Sequence, residues 1–365
     1  MAAADVPTVR IGSRVIGPGE PVYVMAEAGV NHNGSVDAAL RLVDAARRAG
    51  ADAVKFQAFG ATRLASRHAE QAAYQKGSAA ASSQAEMLRK LELAQADFAR
   101  IKRHCDDVGI EFLATPFGVE DLRMLLDLGV RAIKIASPDI INRPLLAAAA
   151  ESRLPILLST GASETAEIDA AHDLLARQLA MPLVLLHCVS AYPVKPEQAN
   201  LRRIAKLRER YHCPAGYSDH TIETFTGQLA VTAGACLLEK HFTLNRGQSG
   251  PDHAFSLLPA ELTEYVRLAR RPEATTHAGR RDAAEAMLGT GRINVTDAER
   301  EVRTVSRCSV TAARTILAGT TSAADMFVIK RPGTGISPWR IGEVIGRVVR
   351  CDIPADTPIT WDMLQ

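Results

Sequence analysis

The sequence predicts a (β/α)8 TIM barrel followed by a small, mostly β domain. Three observations carry this. Apolar strand-like runs alternate with amphipathic helical stretches from Val22 to about Arg270, and eight such units within about 260 residues are what the barrel requires. No GxGxxG fingerprint follows the first run, which counts against the competing doubly wound open sheet. Beyond residue 272 the alternation stops, a polar and charged stretch follows, and short β-branched runs separated by turn residues complete the chain.

The eight runs are, in order, "VYVMA", "DAVKF", "IEFLAT", "RAIKIAS", "PILLST", "LVLLHC", "PAGYS" and "CLLEKHF". Helical patterns such as "SVDAALRLVDAARRAG" and "DFARIKRHCDDVG" lie between them, and several end on a glycine (Gly50, Gly109, Gly129), the residue that stops a helix in the left-handed conformation. Ser163, with Glu164 and Glu167 in the turn that follows, marks another helix start. The runs "RCSVTA", "MFVIKRP" and "IGRVVRCDI" read as strands of the small domain. The expected division is a barrel over 1–280, a linker over 281–300 and the small domain over 301–365.

Composition narrows the function classes. Hydrophobic residues make up 47% of 365, enough for a large core, and the net charge of +2 with scattered Lys and Arg argues against a nucleic-acid partner. The six cysteines show no CxxC pair or framework spacing, which fits reduced thiols in a cytoplasmic protein. The N-terminus has no long apolar segment, and no run approaches 18 apolar residues, so neither export nor a membrane span is expected.

In a barrel, chemistry gathers where strands end. The predicted strands end in Glu27; Lys55 and Gln57; Thr115; Lys134 and Ser137; Ser159 and Thr160; His187 with Tyr192 just beyond; Ser218, Asp219 and His220; and Glu239 with His241. Residues two apart share a face, so Lys55 pairs with Gln57 and Glu239 with His241. Two lysines embedded in apolar runs, with serine and threonine hydroxyls around the same rim, suit phosphate or carboxylate oxygens. A lone histidine near a strand is usually a core residue; His220 and His241 on neighbouring strand ends suit one divalent ion such as Mn²⁺, Zn²⁺ or Fe²⁺. Glu27, in "AEAGVNHNGS", is a carboxylate at a buried strand end that must face a metal or the lysines, and can exchange protons with substrate.

These residues lie in motifs, "AEAGVNHNGS", "GADAVKFQ", "FLATPF", "IKIAS", "LLSTGA", "HCVSAYP", "GYSDHT" and "LEKHFTL" followed by "GPDH", that together resemble the sialic acid synthase family. The tail from "KRPGTGISP" to "ITWDML" resembles that family's C-terminal antifreeze-like (SAF) domain. The resemblance implies a PEP-dependent synthase that condenses phosphoenolpyruvate (PEP) with an N-acyl amino-sugar aldehyde, releasing phosphate by C–O cleavage and yielding a nonulosonic acid. It implies Mn²⁺, with Mg²⁺ or Co²⁺ as alternatives, on His220 and His241; Glu27 as acid/base; and Glu239 behind them. Lys55, Thr115, Lys134, Ser137, Ser159 and Ser218 would hold PEP. Gln57, Asp139, Tyr192 and Asp252 would meet the acceptor, and Arg331 would reach its N-acyl group from the partner in a domain-swapped homodimer.

The departures from the family pattern concern the acceptor: Asp139 stands where many relatives have Glu, residues 60 to 94 contain no Asn, and Ser190 replaces a larger amide. N-acetylmannosamine, a diacetamido-hexose or another aldehyde all stay open. A metal-dependent aldolase using pyruvate, and a sugar-binding protein with an inactive barrel, are the competing functions.

Overall fold

The structure is a computed structural model that describes residues 6–67, 69–76, 83–178, 183–272 and 281–365. A short antiparallel hairpin, β1 (Val9–Ile11) and β2 (Arg14–Ile16), precedes eight parallel strands. These are β3 (Tyr23–Gly29), β4 (Ala53–Ala58), β5 (Glu111–Pro116), β6 (Ile133–Ile135), β7 (Ile156–Ser159), β8 (Val184–Cys188), β9 (Ala215–Asp219) and β10 (Leu237–His241). They hydrogen-bond in the order β5-β4-β3-β10-β9-β8-β7-β6, and the ends of that order, β5 and β6, pack together to close the ring. All eight expected strands are present. The hairpin is an addition: Val9, Ile11 and Ile16 insert under the barrel and join its interior core.

The period of two sorts each strand between two cores. One set of alternate residues, among them Val24, Val54, Phe112 and Leu158, packs against the surrounding helices. The other set points inward and changes character with height. Tyr23 and Met25, Ala53, Leu113, Ala132, Leu157 and Leu237 fill the lower half with apolar side chains. Two residues further along the same face stand Glu27, Lys55, Thr115, Lys134, Ser159 and Glu239, all buried. At Gly216 an added Cβ would lie 2.5 Å from Leu237 O and 2.6 Å from Leu186 Cδ2, so the interior has no room for a side chain there.

The helices start and stop as the sequence indicates. Ser35 caps Val36–Arg48, its hydroxyl accepting from Ala38 N, and Gly109 ends Gln95–Val108 in the left-handed conformation at φ 72°. Between β4 and that second helix the chain makes a long excursion with short helices Ala61–Leu64, Ala73–Lys76 and Gln84–Arg89, and builds a separate apolar cluster beside Val30, Phe59 and Phe117.

Helix Arg281–Leu288 lies within the expected linker, and helix Arg300–Ser306 crosses the expected boundary at 300/301; residues 273–280, the end of the expected barrel segment, lie outside the described residues. The connecting stretch is pinned to the barrel. Buried Glu299 accepts from Ala162 N (2.7 Å) and Ser190 N (3.0 Å), Arg203 donates to the carbonyls of Arg292 (2.6 Å) and Asn294 (2.9 Å), and Arg303 and Arg307 pair with Glu167. The small domain pairs β11 (Ser309–Ala312) with β12 (Phe327–Lys330) around its own core. The run "IGRVVRCDI" departs from expectation. Instead of a continuous strand it forms single bridges at Val348, Val349 and Ile353, because its partners, Thr321, Leu364 and Ile316, belong to different turns. Among the described residues no helix is long and apolar enough to cross a membrane.

Candidate active site

The polar inward residues form a charged ring above the apolar plug. Lys55 Nζ lies 2.8 Å from Glu27 Oε2 and donates to Thr115 Oγ1 at 2.9 Å. Lys134 Nζ donates to Ser159 Oγ at 2.8 Å and to Ile135 O at 3.1 Å. Glu239 stands between the lysines, its Oε2 3.7 Å from each Nζ, while Ser218 donates to its Oε1 at 2.6 Å. Gln57 closes the arc by donating to Glu27 Oε1 at 3.0 Å. Two buried cations thus face two buried anions, each charge paired, as a low-dielectric interior demands.

Burial pushes the Glu27 carboxyl above its usual range against the pull of Lys55, with Glu239 adding repulsion. Burial also disfavours charge on Lys55, but Glu27 and Glu239 outweigh it and hold that ammonium above its ordinary value. Lys134 is lowered by burial, with Glu239 the strongest of the groups that resist. Glu239 is driven the other way: burial would raise it, yet Lys134, Lys55 and the Ser218 hydroxyl bring it to about 2. The two carboxyls therefore part company, one inclined to carry a proton and one fixed as an anion.

His241 follows Glu239 on the same face of β10 and is in register with Glu27, while His220 follows the end of β9. Their ring centroids are 5.3 Å apart. His220 Nδ1 is engaged by Val189 O at 2.9 Å, and His241 Nδ1 has no hydrogen-bond partner, its nearest carboxylate being Asp252 at 3.6 Å. Burial lowers both histidines, and each is neutral, the form that ligates metals. Two imidazoles on one ion at about 2.1 Å have ring centroids about 5 Å apart, so this pair fits a divalent ion. Among the described residues no set of three or more His, Cys, Asp or Glu side chains is placed to hold one, so the remaining positions fall to water or substrate.

These groups line one cavity, which Ser137 and Asp252 also border. Tyr192 forms part of its wall, packed between the tilted rings of Tyr74 (4.7 Å) and His220 (4.5 Å). Asp139 does not line the cavity, unlike the other expected residues. Its Oδ1 accepts from Asn142 Nδ2 at 2.9 Å, it is fully buried, and burial raises it to about 6; Pro138 takes the lining position instead.

Arg331 lines the cavity of its own chain. Its main chain joins Leu64 and Ser66 (Arg331 N to Leu64 O 2.9 Å, Ser66 N to Arg331 O 3.0 Å) and its guanidinium stacks on Phe117 at 5.2 Å. Within the one chain described, the guanidinium thus reaches the cavity of its own barrel. The pinned connecting stretch sets that position.

Several cavity residues escaped the sequence reading. Tyr74, Gln75, Gln84 and Met87 come from the excursion, and Val302 and Ser306 from the connecting helix. Only the helical spacing of Gln84, Met87 and Leu88 hinted at a shared face. The amides of the opening motif are structural: Asn31 donates to Phe242 O (2.8 Å) and Ser256 Oγ (2.9 Å), and Asn33 Oδ1 meets His253 Nε2 (3.2 Å), tying the β3 loop to the β10 loop. Lys240 and Asp219 face outward as a buried ion pair at 3.0 Å.

Comparison with known proteins places this architecture. Residues 42–281 match the NeuB family and residues 307–365 match the SAF domain. The chain is 38% identical to N,N'-diacetyllegionaminic acid synthase of Legionella pneumophila over 94% of each chain. The crystal structure of the spore coat polysaccharide biosynthesis protein SpsE of Bacillus subtilis superposes with a TM-score of 0.83 at 31% identity, covering 98% of this chain and 99% of that one. The N-acetylneuraminic acid synthetase of Leptospira borgpetersenii, solved with citrate, is 34% identical with a TM-score of 0.66, covering 82% of this chain and 96% of that one. A closed parallel ring carrying paired lysines and histidines, joined to a small β domain, is here the structure of a member of the NeuB family with a C-terminal SAF domain.

Proposed function

We propose that the chain is a PEP-dependent, C–C bond-forming synthase that condenses PEP with an N-acyl amino-sugar aldehyde to give a nonulosonic acid and phosphate. The observation that carries this is the floor of the cavity, where two buried lysines and the hydroxyls around them face Glu27, whose carboxyl burial pushes above its usual range, and a pair of neighbouring histidines. Lys55, Thr115, Lys134, Ser137, Ser159 and Ser218 hold the phosphate and carboxylate of PEP, whose negative charge is stabilised in a dry site. A divalent ion on His220 and His241, Mn²⁺ foremost with Mg²⁺ or Co²⁺ as alternatives, supplies Lewis-acid polarisation of the aldehyde. Carbon 3 of the enol attacks the aldehyde carbon, and the Glu27 carboxyl gives its proton to the aldehyde oxygen. Water then adds at carbon 2 and returns one proton to Glu27, and the tetrahedral intermediate collapses to the ketone as the carbon 2–oxygen bond to phosphate breaks, its hydroxyl proton leaving on the phosphate. Gln57, Tyr192 and Asp252 meet acceptor hydroxyls, with Asp139 acting from behind Pro138, and Glu239 holds both lysines in place.

The test is a panel of aldoses and amino sugars with PEP, read by phosphate release and product mass. Phosphate release with a product heavier by the pyruvyl unit is expected. Condensation from pyruvate without phosphate release would make the barrel an aldolase, and no turnover with intact binding would make it a sugar-binding protein.

The working division is a barrel (1–280), a connecting segment (281–300) and a small domain (301–365), in a cytoplasmic enzyme whose six cysteines are free thiols. A domain-swapped homodimer is part of the proposal: exchange of identical small domains would reproduce the contacts of Arg331 with Leu64 and Ser66 between chains. Mixing the inactive variants Glu27→Gln and Arg331→Ala under subunit exchange should restore about a quarter of wild-type activity, since about half the dimers are mixed and each carries one intact site. No recovery despite exchange would leave Arg331 serving its own barrel.

A further inference from the structure

The two histidines stand one residue beyond the last strand pairing that could fix their separation. The ladder between β9 and β10 pairs Tyr217 with Leu238, Ser218 with Glu239 and Asp219 with Lys240, and stops there. His241 continues in register with Glu27 of β3, whereas the His220 carbonyl accepts from Val194 N, beyond β8, at 2.9 Å. The Val189 carbonyl orients the His220 ring, and His241 Nδ1 has no hydrogen-bond partner. Neither contact runs from one histidine's strand to the other's, yet the rings sit 5.3 Å apart. On the helix-facing side of the same two strands, Asp219 and Lys240 form a buried pair whose hydrogen bonds converge on the residue after His220. Asp219 Oδ1 accepts from Thr221 N at 2.9 Å and from the Thr221 hydroxyl at 2.8 Å. Lys240 Nζ lies 3.0 Å from Asp219 Oδ2 and donates to Thr221 O at 2.5 Å and to Thr221 Oγ1 at 3.3 Å. The residues on both sides of His220 are thereby tied to the residue that precedes His241.

A buried ion pair is a poor source of stability, because taking two charges out of water costs about what their attraction returns. Two residues earlier on the same face, Tyr217 and Leu238 pack against the helices as ordinary core. What charged hydrogen bonds add over such packing is direction. We propose that Asp219, Lys240 and Thr221 are positioning residues for the divalent ion, a clamp on the outer face that sets the separation of His220 and His241 on the inner one. None of the three lines the cavity, so they act only through the histidines. The clamp rests on the metal site proposed above and goes beyond it by naming the side chains that hold two imidazoles at a spacing one ion can bridge. Groups that orient metal ligands typically contribute about 10–100-fold in affinity.

The experiment separates positioning from stability. Mn²⁺ affinity is read from the electron paramagnetic resonance signal of the free ion, and stability from urea denaturation in chelator. Asp219→Asn/Lys240→Met removes both charges together, so its urea midpoint should stay near that of wild type while its Mn²⁺ affinity falls by about tenfold or more. Thr221→Val leaves both charges in place and removes only the hydroxyl they share; it should weaken Mn²⁺ about threefold or more, and it keeps the test open if the double variant fails to fold. Thr226→Val is the control: its hydroxyl meets Thr221 Oγ1 at 2.9 Å but reaches neither Asp219 nor Lys240, so its affinity should stay within about twofold of wild type. A folded double variant that binds Mn²⁺ as tightly as wild type would overturn the clamp and leave the pair a packing feature. So would equal losses in Thr221→Val and Thr226→Val, which would point to general loosening. Wild type that binds no Mn²⁺, Mg²⁺ or Co²⁺ would remove the metal site itself, and the clamp with it.

Discussion

Replacing Lys134 by Met tests the anion floor most directly. The thioether retains most of the stem that rises past the apolar layer, so the change is chiefly the loss of one buried ammonium. That ammonium makes hydrogen bonds of 2.8 Å to Ser159 Oγ and 3.1 Å to Ile135 O, and lies 3.7 Å from Glu239 Oε2. Without it the four charges of the ring no longer balance: Glu27 and Glu239 face Lys55 alone, and an arriving phosphate meets excess negative charge. A unit charge pair at about 4 Å in a medium of effective dielectric about 20 is worth roughly 4 kcal/mol. Truncating one partner of a buried, hydrogen-bonded charge pair typically costs about 2–5 kcal/mol. PEP affinity should therefore fall by a factor of about 30 to several thousand. Calorimetric titration with PEP in the absence of acceptor reads this without chemistry intervening, and circular dichroism checks that the barrel is intact. Because the lysine is buried, the loss should persist at high salt, where exposed charges are screened within about 3 Å at 1 M. A folded Lys134→Met protein that binds PEP within threefold of wild type would mean that the phosphate and carboxylate sit elsewhere.

Three further outcomes are expected. Asp139, raised by burial to about 6 from an ordinary value of about 3.9, contributes stability that is complete below about pH 4 and is lost as pH rises through about 6. The melting temperature of Asp139→Asn should accordingly gain on wild type between pH 4 and 7, by the equivalent of about 2–3 kcal/mol, and parallel pH profiles would refute the assignment. Lys240→Met strands Asp219, whose carboxylate lies 3.0 Å from the lost ammonium, and should cost about 3–5 kcal/mol in urea denaturation; Asp219→Asn/Lys240→Met should recover most of it, and an unchanged midpoint in the single variant would argue against a working pair. Chelation should abolish turnover and Mn²⁺ restore it, with His220→Ala binding the ion weakly; full turnover in chelator would remove the histidine pair from the chemistry.

Most of the barrel was legible because its signal is local. Each strand is a short apolar run, and a lysine in the middle of "VKFQ" or "IKIAS" can lie only on the inner face when its neighbours pack against helices. Parity also paired Glu239 with His241, although it did not reveal that Glu239 bridges two lysines from other strands, because that depends on ring closure. The N-terminal hairpin was missed because three-residue strands carry little periodicity; the alternation in "VRIGSRVI" around a Gly-Ser turn was the available signal. Asp139 was misplaced because the strand β6 ends at Ile135 and the chain turns into a short helix, Ser137–Ile141, which breaks the two-residue alternation before reaching it. Tyr74, Gln84 and Met87 arrive from a segment with no strand to anchor its direction, so nothing in their spacing indicated which cavity they would border.

The stacking of side chains inside the barrel has a kinetic consequence. The charged ring stands directly on the apolar plug, with Gln57 one step further along β4 than Lys55 and His241 one step beyond Glu239. Tyr192, Arg331 and the connecting helix come in above them from loops and from the small domain. Under the proposed assignment the cavity is therefore a shaft with an anion seat at its base and an acceptor seat nearer its mouth. A molecule occupying the upper seat obstructs passage to the lower one. Binding is then sequential: PEP must settle first and the sugar second, and phosphate produced at the base leaves only after the elongated product has cleared the upper seat. Steady-state inhibition by product would carry the same ordering in reverse.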